Sequence, residues 1–191
     1  MPVTTSYSWN LLNTIFIGSS FGQNHQSLTP LANGGFARVG DNGGRVFVTV
    51  FDEDGNETAS WQGAQSTNGA IAQLDNGNLV IVSQDTDSII FEIRDTSGNL
   101  VVASTDLGIV DPFGGATGNM NPTVVAVAGG FQIGFETDYG TDTDTRMLFV
   151  SNAGVVGAIG TVQSLSASIS ENETDVASVV LTNGTVAYAG K

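Results

Sequence analysis

"IAQLDNGNLVIV", residues 71–82, sets an apolar run, the pair Asn76-Gly77 and a second apolar run in succession, and its reading decides the fold. Asn-Gly suits the positive backbone dihedrals of a tight hairpin turn, so the stretch predicts strand, turn, strand. The same wording returns as "LTPLANGGFARV" at 28–39, "VVAVAGGFQIGF" at 124–135 and "ASVVLTNGTVAY" at 177–188. Leu31 aligns with Leu74 and Phe36 with Leu79, each 43 residues on; Phe131 follows Leu79 by 52, and Val186 follows Phe131 by 55. A glycine-rich phosphate cradle must feed a helix N-terminus, whereas each copy here feeds another strand. The phrase is scaffold.

A third apolar segment follows in three copies, "RVFVTVFD", "SIIFEIRD" and "TRMLFVSN", and each runs into a further turn, "DEDGN" at 52–56, "DTSGN" at 95–99 and "SNAG" at 151–154. A short fourth segment comes next, clearest as "LVVAS" at 100–104. Within the strands the period is two: Val46, Val48 and Val50 oppose Phe47, Thr49 and Phe51, and no eleven-residue window offers a helix. The prediction is an all-β chain, a small β-propeller-like array of about four antiparallel blades in one domain, 1–191. Its units span approximately 25–67, 68–120, 121–173 and 174–191. The fourth is short of two strands, and the stretches 4–10 and 14–18 would complete it and close the ring; the alternative is a piece of a longer array.

Composition narrows the partners. Nineteen acidic residues stand against five basic ones, a formal charge of -14, and such a field repels phosphate backbones and anionic membranes. Neither nucleic-acid binding nor membrane insertion is expected, since no apolar run reaches bilayer length. Charged residues are only 13% of the chain, so its surface must be largely Ser, Thr, Asn, Gln and Gly. There is no cysteine, which removes disulfides and thiolate chemistry. "MPVTTSYSWNLLNTIFIG" at 1–18 lacks a basic start and an unbroken apolar run, so an extracellular or cell-surface location by a route without a cleaved N-terminal signal is the expectation.

Chemistry-bearing residues are few. Asp52, Asp54 and Asn56, with Glu57 beside them, alternate oxygen ligands along a tight turn, the donor type that calcium takes; Asp-Gly-Asn is equally an ordinary hairpin turn. Asp138, Asp142 and Asp144 form a second candidate cation set in the polar link 136–146, and Asp41, Asp85 and Asp87 make the corresponding links acidic too. Trp61, at a unit junction, and Tyr139, inside the acidic link, are the candidate platforms for a sugar ring, Trp61 also reading as packing between units. Catalysis has little support: His25 is the single histidine, and no "GxSxG" occurs. Carboxylate pairs such as Asp52 with Glu57 or Asp111 with Asp138 would suit glycoside hydrolysis, but some pair is unavoidable among so many acids. The variable links 105–123 and 136–146, where the copies disagree, are where function is expected.

"LANGGF", "LDNGNLVIV" and "NPTVVAVAGGF", each followed by an "FDxxGN"-like turn, resemble the degenerate "ALADGGFVVVW... FDAxGN" repeats of large secreted bacterial haemolysin-type calcium-binding and adhesin proteins. The chain lacks that group's Gly-Asp nonapeptides and carries Gly40, Ser83, Phe135 and Ala189 where the repeat has tryptophan. The resemblance implies a non-catalytic extracellular structural or adhesion module, exported by a C-terminal signal, with a cell-surface partner. A carbohydrate-binding propeller supported by calcium, a self-assembling homo-oligomeric filament or virion subunit exchanging strands, and a carboxylate-dependent glycosidase are the alternatives.

Overall fold

The structure is a computed structural model and describes residues 24–111, 114–157, 163–164 and 174–189. The strand-like stretches 4–10 and 14–18 lie outside the described residues, and with them the closure they were expected to provide. Four antiparallel sheets account for the described chain. The first joins β1 (Asn24–Pro30), β2 (Phe36–Asn42), β3 (Arg45–Phe51) and β4 (Glu57–Gln62). The second joins β5 (Thr67–Gln73), β6 (Leu79–Asp85), β7 (Ser88–Arg94) and β8 (Leu100–Asp106). The third joins β9 (Gly118–Val127), β10 (Gly130–Asp138), β11 (Thr143–Ser151) and β12 (Gln163–Ser164), and the fourth is the pair β13 (Ala177–Val180) and β14 (Val186–Ala189). In every sheet neighbours in space are neighbours in sequence. Among the described residues no helix is long and apolar enough to cross a membrane.

One loop builds most of the turns. At Leu31 the backbone N–H donates to Gly35 O at 2.9 Å and its own carbonyl accepts from Gly34 N at 3.0 Å. The same pair of bonds recurs at Asp52 with Asn56 and Gly55, Leu74 with Asn78 and Gly77, Asp95 with Asn99 and Gly98, Ser151 with Val155 and Gly154, and Leu181 with Thr185 and Gly184. This is a three-residue hairpin loop closed by a residue of positive φ, and that residue is glycine each time, from Gly34 at 91° to Gly154 at 78°. In the "Asn-Gly" copies the positive φ thus falls on the glycine alone. The Asn side chain braces the loop instead, since Asn33, Asn76 and Asn183 each accept, through Oδ1, the N–H two residues on, at 3.0–3.1 Å.

The strands bury two cores that share the second sheet. Ala37, Val39, Val46, Val48 and Val50 of the first sheet pack on Ile71, Leu79 and Ile81. The alternate residues Val80 and Val82, with Ile89, Phe91 and Ile93, turn the other way onto Phe131, Ile133, Phe135, Leu148 and Val150 of the third sheet. A period of two therefore divides one strand between two interfaces, and β6 is buried from Leu79 through Ser83 because both its faces are covered. At the second interface the Phe91 and Phe131 rings meet edge to face, centroids 5.5 Å apart. The turns must fit beneath their neighbours as well: a Cβ on Gly35 would lie 2.1 Å from Phe51 O, and one on Gly130 would lie 2.2 Å from Val150 O.

The fourth sheet docks on the third through its phenol. Tyr188 Oη donates to Gln132 Oε1 at 2.7 Å, and its ring lies over Gly134. Burial pushes the Tyr188 pKa up to about 12 from the ordinary 10.0. A phenol with a raised folded pKa contributes stability that is whole below pH 10 and is lost as pH rises toward 12. An alkaline absorbance titration of Tyr188→Phe beside the parent is expected to differ by one phenolate appearing near pH 12. In the core, Phe131→Ala removes the ring between two sheets and is expected to lower unfolding free energy by about 3–5 kcal/mol, read from the urea midpoint at unchanged m-value.

Candidate functional site

The inner strands β1, β5, β9 and β13 approach one another across the unit junctions. At the head of three of them the backbone passes through positive φ on a residue other than glycine: Asn68 at 53°, Asn121 at 50° and Asp175 at 60°. Asn and Asp tolerate that region better than other side chains do. Each of these residues is held by a side chain from the end of the second strand in the preceding unit. Asn68 N donates to Asp41 Oδ2 at 3.0 Å, Asn121 N to Gln84 Oε1 at 3.2 Å, and Asp175 N to Glu136 Oε1 at 2.8 Å.

Side-chain bonds tie these clasps together. Asn68 Nδ2 donates to Gln84 Oε1 and to Asn121 Oδ1, both at 3.0 Å, and Asn121 Nδ2 donates to Glu136 Oε2 at 2.8 Å. Glu136 is only 2% exposed, so its carboxylate is a buried charge whose two oxygens take one N–H each. One hydrogen-bonded chain thus runs from Asp41 to Asp175 over three junctions. The register repeats as well: Asn24 pairs with Asp41, Thr67 with Gln84 and Met120 with Glu136. His25 accordingly takes, in the first unit, the backbone position that Asn68 and Asn121 take in the next two.

Beside this chain of bonds lies a cavity of about 630 Å³ that the inner strands of all four units line. Ser27 comes from β1, Asn68 from β5, Asn121 and Pro122 from β9, and Asp175 and Val176 from the head of β13. Amides, three hydroxyls and a carboxylate alternate with the apolar faces of Pro122 and Val176. Such a surface can hydrogen-bond a polyhydroxylated ligand while covering its C–H faces, and the volume is that of an ordinary small-molecule site.

The two variable links meet on the same rim. Tyr139 Oη donates to Asp111 Oδ1 at 3.1 Å and accepts from an Arg146 Nη at 2.9 Å, while the guanidinium carbon lies 5.9 Å from the Tyr139 ring centroid. Arg146 is buried and also pairs with Asp144. Burial raises the Tyr139 pKa, with the Asp111 carboxylate adding to it and Arg146 opposing. Asp138 turns aside from this group: its Oδ1 accepts from Gly140 N at 2.7 Å and its Oδ2 from Thr117 Oγ1 at 3.0 Å. Asp142 Oδ1 is buried with no hydrogen-bond partner among the described residues. Tyr139, Asp111, Asp144 and Arg146 are thus brought into one network, while Asp138 serves the 105–123 link.

The other sequence candidates sit elsewhere. Asp52 Oδ1 accepts from Asp54 N at 3.0 Å and Asn56 N at 2.8 Å, and Oδ2 accepts from Asn56 Nδ2 at 3.0 Å, so this carboxylate caps its own hairpin at the opposite end of the sheet. Asp95 does the same with Ser97 N and Asn99 N. Among the described residues no three His, Cys, Asp or Glu side chains are grouped as metal ligands. Trp61 on β4 is half-buried against the first core, its ring beneath the Gly98 turn of the second unit and 6.0 Å from the Arg94 guanidinium carbon.

No family model and no curated protein matches the chain. Solved structures similar in fold include two of unlike description. One is an α-L-arabinofuranosidase from Lactobacillus brevis, with a TM-score of 0.52 at 12% identity, covering 84% of this chain and 63% of that one. The other is a hypothetical protein from Leishmania major, with a TM-score of 0.53 at 11% identity, covering 86% and 62%. The chain spans less than two thirds of the length of either, and at these identities the likeness is one of fold.

Sequence reading missed these clasps. Its signal is a fixed offset: His25, Asn68, Asn121 and Asp175 each stand six residues ahead of the residue that opens the hairpin turn, Leu31, Leu74, Val127 or Leu181. The turn carboxylates have a consequence in acid. Hydrogen bonds from Asn56 and Asn99 hold Asp52 and Asp95 below the ordinary 3.8, and Gly129 N and Asn152 do the same for Asp75, which joins the second and third units. A depressed folded pKa gives stability that is present above 3.8 and lost as pH falls through the lower folded value. The melting temperature is expected to fall below about pH 4, and to fall less in the triple variant Asp52→Asn, Asp75→Asn, Asp95→Asn, as calorimetry at stepped pH would record.

Proposed function

We propose that the chain is a non-catalytic carbohydrate-binding module whose four units stand as propeller-like blades around an axis, with the sugar seated in the axial cavity. The observation that carries this reading is the cavity itself: inner strands from all four units line it with amides, hydroxyls and a carboxylate around two apolar patches. Binding rather than turnover is favoured because Glu136, the buried carboxylate beside the cavity, has one oxygen engaged by Asn121 and the other by Asp175. In a secreted or surface protein such binding serves adhesion, the role the repeat wording implies. The bonds that frame the cavity run directly between protein groups, so the reading requires no calcium there.

Titration calorimetry against a panel of mono- and disaccharides tests the reading. Binding is expected in the micromolar to millimolar range, unchanged by chelator. Asn68→Ala and Asn121→Ala should each weaken it about tenfold or more, while Tyr139→Phe, away from the cavity lining, leaves it unaltered. Binding that disappears on Tyr139→Phe or Trp61→Phe and survives both Asn variants would place the site elsewhere.

A second reading, a carboxylate-dependent glycosidase, is favoured by the fold likeness to an arabinofuranosidase. It requires release of reducing sugar from an arabinoside or another glycoside, abolished by Asp175→Asn or Glu136→Gln. Absence of turnover at protein concentrations that show binding leaves the first reading standing.

A further inference from the structure

The charges around the axial cavity choose among sugars. Asp175 lies in the lining, and the carboxylates of Asp41 and Glu136 stand one hydrogen bond behind it, on Asn68 N and on Asn121 Nδ2 with Asp175 N. None of the described arginines lines the cavity: Arg94 pairs with Glu92, Arg146 pairs with Asp144, and Arg38 and Arg45 belong to the first sheet. The whole chain carries a formal charge of -14, so its long-range field has the same sign as the local one.

Acceptors are also what the cavity has to spare. The two hydrogens on Asn68 Nδ2 go to Gln84 and Asn121, and one of those on Asn121 Nδ2 goes to Glu136, so three of these four amide hydrogens are engaged within the protein. The Asp175 side chain, by contrast, makes no hydrogen bond or ion pair among the described residues, and neither does Asn68 Oδ1. A site with open carboxylate and amide acceptors and negative potential suits a ligand that brings donors and positive charge. An ammonium group has three donors and no acceptor.

Resting on the carbohydrate reading above, we propose that the axial cavity takes an amino sugar with a free, protonated amine, held at the Asp175 carboxylate and Asn68 Oδ1, in preference to neutral or anionic sugars. Acetylating the amine removes the charge and two of the three donors. A uronic acid brings a carboxylate against Asp175, Asp41 and Glu136 and is excluded.

The test compares three disaccharides by calorimetry on the full chain at neutral pH: a β-1,4-linked glucosamine dimer, its N-acetylated form and a uronate-containing dimer. The free-amine dimer is expected to bind about tenfold tighter than the acetylated one, the advantage shrinking with added salt, and the uronate dimer is expected to show no binding. Asp175→Asn keeps the backbone N–H to Glu136 and an Asx residue at positive φ, so it should melt like the parent yet lose most of the amine preference. Asp87→Asn, on the same rim but outside the cavity, controls for loose attraction to an acidic surface and should keep the preference whole. Equal or tighter binding of the acetylated dimer, or a ratio that Asp175→Asn leaves untouched, overturns the inference while leaving the carbohydrate reading intact. Failure of all three sugars, with neutral sugars failing as well, sinks both.

Discussion

The arrangement depends on a sheet that is apolar on both faces. β6 sends alternate residues to two different neighbours, Leu79 and Ile81 to the first sheet and Val80 and Val82 to the third, where Ile89, Phe91 and Ile93 of β7 join them. A lone four-stranded meander exposes one such face, and stacking on both sides removes this surface from water at roughly 25 cal/mol per Å². Once the sheets stack, their first strands come together at one edge, and the polar groups brought there must find partners. The Asp41, Gln84 and Glu136 clasps answer that need, and the cavity they frame follows from the stacking rather than from any local motif.

The polar clasps and the apolar stack therefore contribute differently. The stack supplies most of the burial, whereas the clasps fix register by accepting N–H groups of residues that sit at positive φ. An N–H left without an acceptor there would cost on the order of 1–3 kcal/mol. Such residues hold their conformation because the neighbouring unit over-determines it.

The hairpins were legible in the sequence because their information is local. Asn76-Gly77 with apolar runs on either side names a turn and two strands without reference to anything distant, and β5–β6 and the other antiparallel pairs follow from it. The same locality left 52–56 open between a cation loop and an ordinary hairpin turn, because spaced carboxylate and amide groups suit both. There Asp52 is the loop's own acceptor, and Ser151 Oγ accepting from Val155 N shows a hydroxyl filling the same position. The clasps were missed because their bonds link residues 27, 37 and 39 positions apart, and the fixed offset that marks them gains meaning only once the units are stacked. Tyr139 and the links 105–123 and 136–146 fall between: sequence marked them as unlike the other copies, and only the fold shows that Asp111 and Tyr139 meet.

If the axis is where the chain meets its ligand, the sugar must be visible there. A crystal structure of the chain with a bound glucosamine disaccharide is the direct measurement. The predicted result is a sugar ring between β5, β9 and β13, with its amine on Asp175 and Asn68 Oδ1 and a hydroxyl on Asn121. A sugar bound instead against Tyr139 or Trp61, with the axial cavity holding only solvent, would contradict the axial site.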